Sequence, residues 1–271
     1  MLDLNKFILV LILTVIIHTI DTLSYSVRIA GVRTNRLATA FSLFNIIVLA
    51  SRTANLIQAP ILGSIGDLAI KSNNIIAVTV SFRLIIFAAT VGSIIGAVLI
   101  PTFVNLFIHL IIQLESKGSV TKMILSSFTL HNLKKLKGKI KNISYKQVKN
   151  HTKTDLPMSF LFLNILITSV HTIGVLSAIY AGVLIPQFRL TASQLSGIIN
   201  GIATILLAVV VDPKSAVITD QVLQGKRKKS DVNSMVIYLV GGKILGTLLG
   251  QLLFIPASKI IVFFTQLIVM N

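Results

Sequence analysis

Residues 7–24 read FILVLILTVIIHTIDTLS, and residues 160–177 read FLFLNILITSVHTIGVLS. Each stretch is apolar over roughly the 18 residues needed to cross the hydrocarbon of a bilayer. Each also carries the string HTIxxLS. The same offset of 153 positions aligns, without a gap, Arg36-Leu37 with Arg189-Leu190, Pro60 with Pro213 and Asp67 with Asp220. Between 7–67 and 160–220, 15 of 61 positions are identical. Apolar runs resemble one another by composition alone, but aligned His, Arg, Pro and Asp do not follow from composition. Farther along, Gly92-x3-Gly96 and Pro101 find counterparts in Gly246-x3-Gly250 and Pro256, the offset drifting by one or two. The chain therefore reads as two copies of a unit of about 110 residues. They span 1–115 and 157–271 and are joined by a polar segment at 116–156.

Composition places both copies in a membrane. The chain is 54% hydrophobic and only 12% charged, where soluble domains carry about a quarter charged residues, and its mean hydropathy is +0.88. The net charge of +17 is concentrated between the apolar runs. That is the pattern of positive-inside bias and attraction to anionic lipid rather than of nucleic-acid binding. With no cysteine there is neither a disulfide framework nor a thiolate metal site. The N-terminus has one Lys before its apolar run and no A-x-A-like site, so it is expected to be an uncleaved first span.

Each copy is predicted to hold one span near 8–27 (160–183), a second near 37–57 (192–211), and an apolar stretch of about 40 residues at 75–114 (232–270). A single helix that long measures about 60 Å, twice the hydrocarbon thickness. It is either one kinked, tilted helix or two short segments hinged at Pro101 and Pro256. Three crossings per copy make the repeats inverted, with both termini outside. Eighteen basic residues then fall inside and four outside. Four crossings make the repeats parallel, with eight segments and a similar charge asymmetry. The segments after the prolines, about 14 residues each, are short for crossings, so six spans in an inverted 3+3 all-α arrangement is the expectation. In the 116–156 segment, Leu133, Leu136, Ile140 and Ile143 follow helical spacing among lysines. This predicts a basic amphipathic helix on the cytoplasmic leaflet. The strips Gly92-x3-Gly96 and Gly242-x3-Gly246-x3-Gly250 are expected to pack helices within one chain.

No GxxxxGK[ST], HExxH or GxSxG occurs, so neither an ATP-driven pump nor a familiar hydrolase is indicated, and no cofactor or metal site is expected. What stands out is charge within the spans. On the first helix, Thr14, His18, Asp21, Thr22, Tyr25 and Arg28 fall on one face of about 120°. Such a stripe marks a helix lining a wet cavity or packed on a polar partner; an internal His–Asp pair that locks helices together is the plainer alternative. On the second, Ser42, Asn45 and Arg52 share a face, with Asn55 one turn farther. Arg52 snorkels to the headgroups, pairs with Asp21, or holds an anion. Arg83 is a similar, shallower case. The second copy keeps His171 and Arg189, but Asp21 aligns with Gly174, Arg28 with Ala181 and Arg52 with Ile205. It carries Asn164, Asn200, Asp212 and Lys243 instead. Arginine forks match phosphate oxygens. Arg28, Arg33, Arg36, Arg52 and Arg83 in a largely apolar protein suit an amphiphilic anion, a lipid with a phosphate or pyrophosphate head.

The series His18-x2-Asp21-Thr22-x2-Tyr25-x2-Arg28, the loop GVRTNR (31–36), and Asn45 with SRTAN (51–55), Gln58 and Pro60 resemble the bacterial Amj family, alternate lipid II flippases that stand in for MurJ in peptidoglycan synthesis. The resemblance runs the full chain and is strongest over 12–66. The family commonly has Glu where Asp21 stands here, which keeps the charge and shortens the reach. The resemblance implies a multi-pass protein of the bacterial cytoplasmic membrane, a transporter rather than an enzyme. Its substrate would be lipid II, the undecaprenyl-pyrophosphate-linked glycopeptide. Arg28, Arg33, Arg36, Arg52 and Arg83, with Asn45 and Asn55, would bind the pyrophosphate; His18, Asp21, Tyr25 and His171 would line the groove or couple to ions. The rival readings are a polyprenyl-pyrophosphate phosphatase, an ion-coupled solute transporter built around Asp21, and a non-transporting scaffold.

Overall fold

A computed structural model describes residues 4–117 and 156–270. The amphipathic helix expected around 133–143 lies outside the described residues. Within them the chain is all-helical: α1 (Leu4–Ser24), α2 (Ser26–Thr34), α3 (Leu37–Ser72), α4 (Ile75–Lys117), α5 (Met158–Leu184), a 3-10 turn (Pro186–Phe188), α6 (Arg189–Leu206), a π segment (Leu207–Val211), α7 (Asp212–Leu223) and α8 (Lys229–Met270). These make six stretches long and apolar enough to cross a membrane, namely Leu4–Thr34, Leu37–Ser72, Ile75–Ser116, Met158–Leu184, Pro186–Leu223 and Lys229–Met270.

There are three such stretches per half, not four. The arrangement of eight segments is corrected by α4 and α8, which run unbroken through Pro101 and Pro256. A proline removes one i→i−4 hydrogen bond. Unwinding the helix there would expose many more backbone groups in a solvent that cannot satisfy them, so the helix continues. At 43 residues, α4 is about 65 Å long and overruns a hydrocarbon core of about 30 Å. Many large apolar side chains face outward, among them Leu49, Leu56, Val98, Ile205 and Leu252, as lipid-facing surfaces do.

The sharp ends of the helices have local causes. α2 and α3 stop at Asn35 and Asn73, both in the left-handed region with φ of 61° and 48°, and α7 is followed by Gly225 at φ 74°. Each closes a C-terminal turn in which the next N–H returns to a carbonyl five residues back: Arg36 to Gly31, Asn74 to Ala69 and Lys226 to Gln221. Asparagine and glycine are the residues that adopt this conformation at least cost. Between α1 and α2 the bend at Tyr25 follows a run of hydroxyls that bond back into the helix: Thr22 to the His18 carbonyl (2.7 Å), Ser24 to Asp21 (2.7 Å) and Ser26 to Leu23 (2.5 Å). Such back-bonding bends helices.

Packing repeats between the halves. Gly92 and Gly96 of α4 seat α1 so closely that a Cβ on Gly92 would run into the Val15 carbonyl, and one on Gly96 would lie 2.6 Å from Thr22 Cβ. Thr19 donates to the Gly92 carbonyl at 3.0 Å. In the second half a Cβ on Gly246 of α8 would lie 2.7 Å from the Ile165 carbonyl and Thr168 Cβ of α5, and one on Gly250 would lie 3.0 Å from Ile173 Cγ2. Small residues let backbones approach where lipid supplies no hydrophobic drive for helix association. The glycine strips thus pack helices within the chain, as their spacing predicts. Two apolar clusters join the halves. One gathers Leu62, Ile65, Val78, Phe82 and Ile86 of the first half with Ile173, Leu176, Tyr180 and Phe254 of the second. Phe254 lies edge-on to Phe82, with centroids 6.2 Å apart. The other joins Ile29, Val32 and Val104 to Phe160, Ile167, Val211, Ile218 and Val232.

Candidate functional site

The polar stripe of α1 and α2 faces the second half. Near the start of the stripe Thr14 donates to the Val10 carbonyl (2.8 Å) and accepts from Gln58 Nε2 of α3 (2.7 Å); both side chains are buried. At its middle, Asp21 lies 3.4 Å from the Lys243 ammonium of α8, with the Ser51 side chain of α3 nearby. His18 and His171 stand within electrostatic range of this pair, and His18 Nδ1 is buried without a partner. At its end, Arg28 donates through NH2 to Asp212 at the head of α7, at 2.7 Å. The rest of its guanidinium lies against aromatic faces, 5.1 Å from the Phe44 centroid and 6.0 Å from that of Tyr25.

The pairing of Asp21 with Arg52 is corrected: its partner is Lys243. Arg52 is exposed on α3, has no ion-pair partner among the described residues, and acts electrostatically on His171. Asp212 and Lys243, read in sequence only as substitutes in a depleted second copy, are the counter-charges of the first. Each half supplies one cation and one carboxylate to the other. Asp21 and Arg28 lack charged equivalents at Gly174 and Ala181 because their partners lie across the interface and not in an equivalent helix. A lone charge in either place would be costly; two cross-braced pairs offset the desolvation of each member.

The other sequence-predicted residues are more dispersed. Arg33 is exposed and, with Ile29, Val32, Lys229, Val232 and Asn233, lines a cleft of about 190 Å³ between α2 and the start of α8. Arg36 pairs with Glu115 at the end of α4. Arg83 donates to the Gln251 carbonyl (3.0 Å), while Gln251 Nε2 donates to the Arg83 carbonyl (2.7 Å), a further tie between the halves. Asn45 and Asn55 are exposed on α3. The structure thus brings together His18, Asp21 and His171 with Ser51 and Lys243. It places Tyr25 and Arg28 beside them, and leaves Arg33, Arg36, Arg52 and Arg83 on the surrounding surfaces.

Several polar atoms in this interior are left with open valence. Arg28 is 3% exposed, yet its Nε and NH1 have no hydrogen-bond acceptor. Asn164 Oδ1 and Asn200 Oδ1 are also buried and unpartnered; Asn200 presses against Gly174, and Asn164 against Gly242. Native interiors leave few such groups unsatisfied, and those they leave call for a water, an ion or a ligand. Donors without acceptors on a guanidinium suit an anion.

Six stretches long and apolar enough to cross a membrane, in two similarly packed halves with charge pairs exchanged between them, define a multi-pass membrane protein. A family model described as "Alternate to MurJ" matches residues 13–265. The lipid II flippase Amj of Bacillus subtilis (strain 168) is 42% identical over 252 residues, covering 93% of this chain and 93% of that protein. The chain belongs to the Amj family. No solved structure matches it.

Proposed function

We propose that this protein is a lipid II flippase. It moves the undecaprenyl-pyrophosphate-linked disaccharide-pentapeptide from the cytoplasmic to the outer leaflet of the bacterial cytoplasmic membrane. The relative named a lipid II flippase supports the substrate. The observation that carries the mechanism is Arg28, a buried guanidinium with one arm on Asp212 and two donors free. The physical problem is to take a large polar head and two phosphates through hydrocarbon while the polyprenyl tail stays in lipid. A hydrated groove, cationic on one wall and open sideways to the bilayer, solves it.

In this reading Arg28 receives the pyrophosphate, with Arg33, Arg36 and Arg52 on its approach and Arg83, Asn45 and Asn55 along the lipid-facing flank. His18, Asp21, Tyr25 and His171 line the groove, and Lys243 balances Asp21 when no substrate is present. The two repeats, 1–115 and 157–271, are inverted in the membrane, so that exchange of their conformations opens the groove to one leaflet and then the other. The charge bias puts both termini outside. It sets the basic 116–156 segment, with Arg33, Arg36 and Lys226–Lys229, at the anionic cytoplasmic leaflet.

The test is rescue. The resident lipid II flippase of a bacterium is depleted, this chain is expressed, and lipid II exposure on the outer leaflet is followed. Restored exposure that is lost with Arg28→Ala supports the reading. A chain present in the membrane that restores nothing argues against it, and phosphate release from undecaprenyl pyrophosphate would replace it with a phosphatase.

A further inference from the structure

The repeat aligns two charged positions, Arg36 with Arg189 and Asp67 with Asp220, and of these four residues only Arg36 has a part in transport as described so far. In the structure Arg189 of the second half reaches Asp67 of the first, 3.6 Å between nitrogen and oxygen. Exchanging the halves turns this pair into Arg36 of the first half and Asp220 of the second. Those two do not pair. Arg36 is held by Glu115 of its own half, and Asp220 accepts from Gln224 Nε2, four residues along its own chain, at 2.5 Å. Equivalent bridges are therefore in unlike states, one made and one unmade.

They also stand at opposite ends of the bundle. Asp67 is near the end of α3 and Arg189 opens α6, whereas Arg36 directly precedes α3 and Asp220 is in the last turn of α7. Each end has a cleft between the halves. Asp67 and Arg189 face each other across one of about 300 Å³, lined also by Gly66, Ile179 and Ser193. Here the halves are closely seated: a Cβ on Gly66 would lie 2.7 Å from Ile179 Cγ2. The opposite end carries the basic cleft of Arg33, Lys229 and Asn233. Two turns deeper than the unmade bridge, Arg28–Asp212 remains joined, so the opening there is a mouth and not a separation of the halves.

We propose that Arg189–Asp67 and Arg36–Asp220 are the two gates of the transport cycle, closed in alternation. This structure is the state closed at the outer side, with Arg36 parked on Glu115 and the mouth open toward the cytoplasmic leaflet. The proposal rests on the inverted-repeat transport reading above. Both members of the made bridge are more than half exposed, and such a pair shifts an equilibrium by only about two- to five-fold. A gate needs that weakness, since a stronger lock would hold one state and stop the cycle.

The chain has no cysteine, so introduced thiols report alone. The experiment uses the full chain in membranes with Asp67→Cys/Arg189→Cys as the outer pair and Arg36→Cys/Asp220→Cys as the inner pair. Each is treated with a short bis-methanethiosulfonate that reductant removes. Both pairs should be bridged. Bridging the outer pair should stop lipid II exposure relative to the same variant after reduction; the inner pair is read by its bridging alone. Adding Asp67→Asn to the inner-pair variant should speed inner bridging about two- to five-fold, the weight of one exposed ion pair. An inner pair that never bridges while the outer one does would overturn the proposal, as would inner bridging that ignores Asp67→Asn. If the unmodified chain moves no lipid II, the substrate reading falls. The effect of Asp67→Asn on inner bridging then still decides the gates.

Discussion

Lys243 of the last helix holds Asp21 of the first at 3.4 Å, and neither residue has a charged counterpart at the equivalent place in the other repeat. The side chain of Lys243 is 8% exposed and that of Asp21 31%, so removing one leaves the other poorly solvated. Lys243→Met is expected to cost about 3 kcal/mol of stability, the lower end of the range for breaking a buried pair. The double variant Asp21→Asn/Lys243→Met should recover most of that loss, because no charge is then left unpaired. Transport should remain absent in both. Thermal unfolding in detergent beside a lipid II exposure assay checks it; a double variant no more stable than the single one would mean that the pair is not coupled.

Arg28 tests fork geometry against charge. Arg28→Lys keeps a cation beside Asp212 but loses the planar donor set and most of the stacking on Phe44 and Tyr25, and lysine does not reproduce bidentate recognition of phosphate. Membrane levels should stay normal while lipid II exposure falls at least about tenfold, the worth of one charge-assisted bond of about 1.5 kcal/mol. Unchanged exposure would remove Arg28 from the pyrophosphate site.

Arg52 makes the complementary case. It is exposed and has no ion-pair partner among the described residues, so Arg52→Ala should change stability by no more than about 0.5 kcal/mol. Lipid II exposure should nonetheless be abolished. Retained activity would show that the arginine only snorkels.

Glycines supply an internal control. Gly246→Ala would force a methyl to within 2.7 Å of the Ile165 carbonyl and Thr168, and overpacking of this kind costs about 1–3 kcal/mol. Gly241→Ala, five positions earlier in α8, meets nothing within 4 Å and should stabilise by about 0.5–1 kcal/mol through helix propensity. Melting temperatures moving in opposite directions would confirm that the strip is a packing surface.

Much of the architecture was legible in the chain because its causes are local. Apolar length marks the spans. The glycine spacing marks the face that α4 offers to α1 and that α8 offers to α5. Half of the site was legible for the same reason, since the Thr14-to-Arg28 stripe is a property of one helix. Its partners were not. Nothing local connects Asp21 with Lys243 or Arg28 with Asp212, and the nearer Arg52 is the natural candidate until Lys243 of α8 is seen to reach Asp21. Lys243 within the last apolar stretch was the available clue, because a buried ammonium requires a carboxylate. The prolines were ambiguous for a different reason. Pro101 and Pro256 weaken a helix in water, but lipid leaves the backbone no better alternative.

The π segment Leu207–Val211 sets the second half apart from the first. No residue is gained or lost between Pro60 and Pro213 in the repeat alignment, yet the i→i+5 turn winds more slowly than the α turn at the same place in α3. Everything after it is turned back by roughly one residue's angle, about 100°. Asp212 and Asp220 thus point in a different azimuth from their counterparts Ala59 and Asp67, although their positions in the chain correspond. Rewinding those five residues to α would swing both carboxylates together, taking Asp212 off Arg28 as it re-aimed Asp220. The two halves differ as much in angular phase as in their side chains.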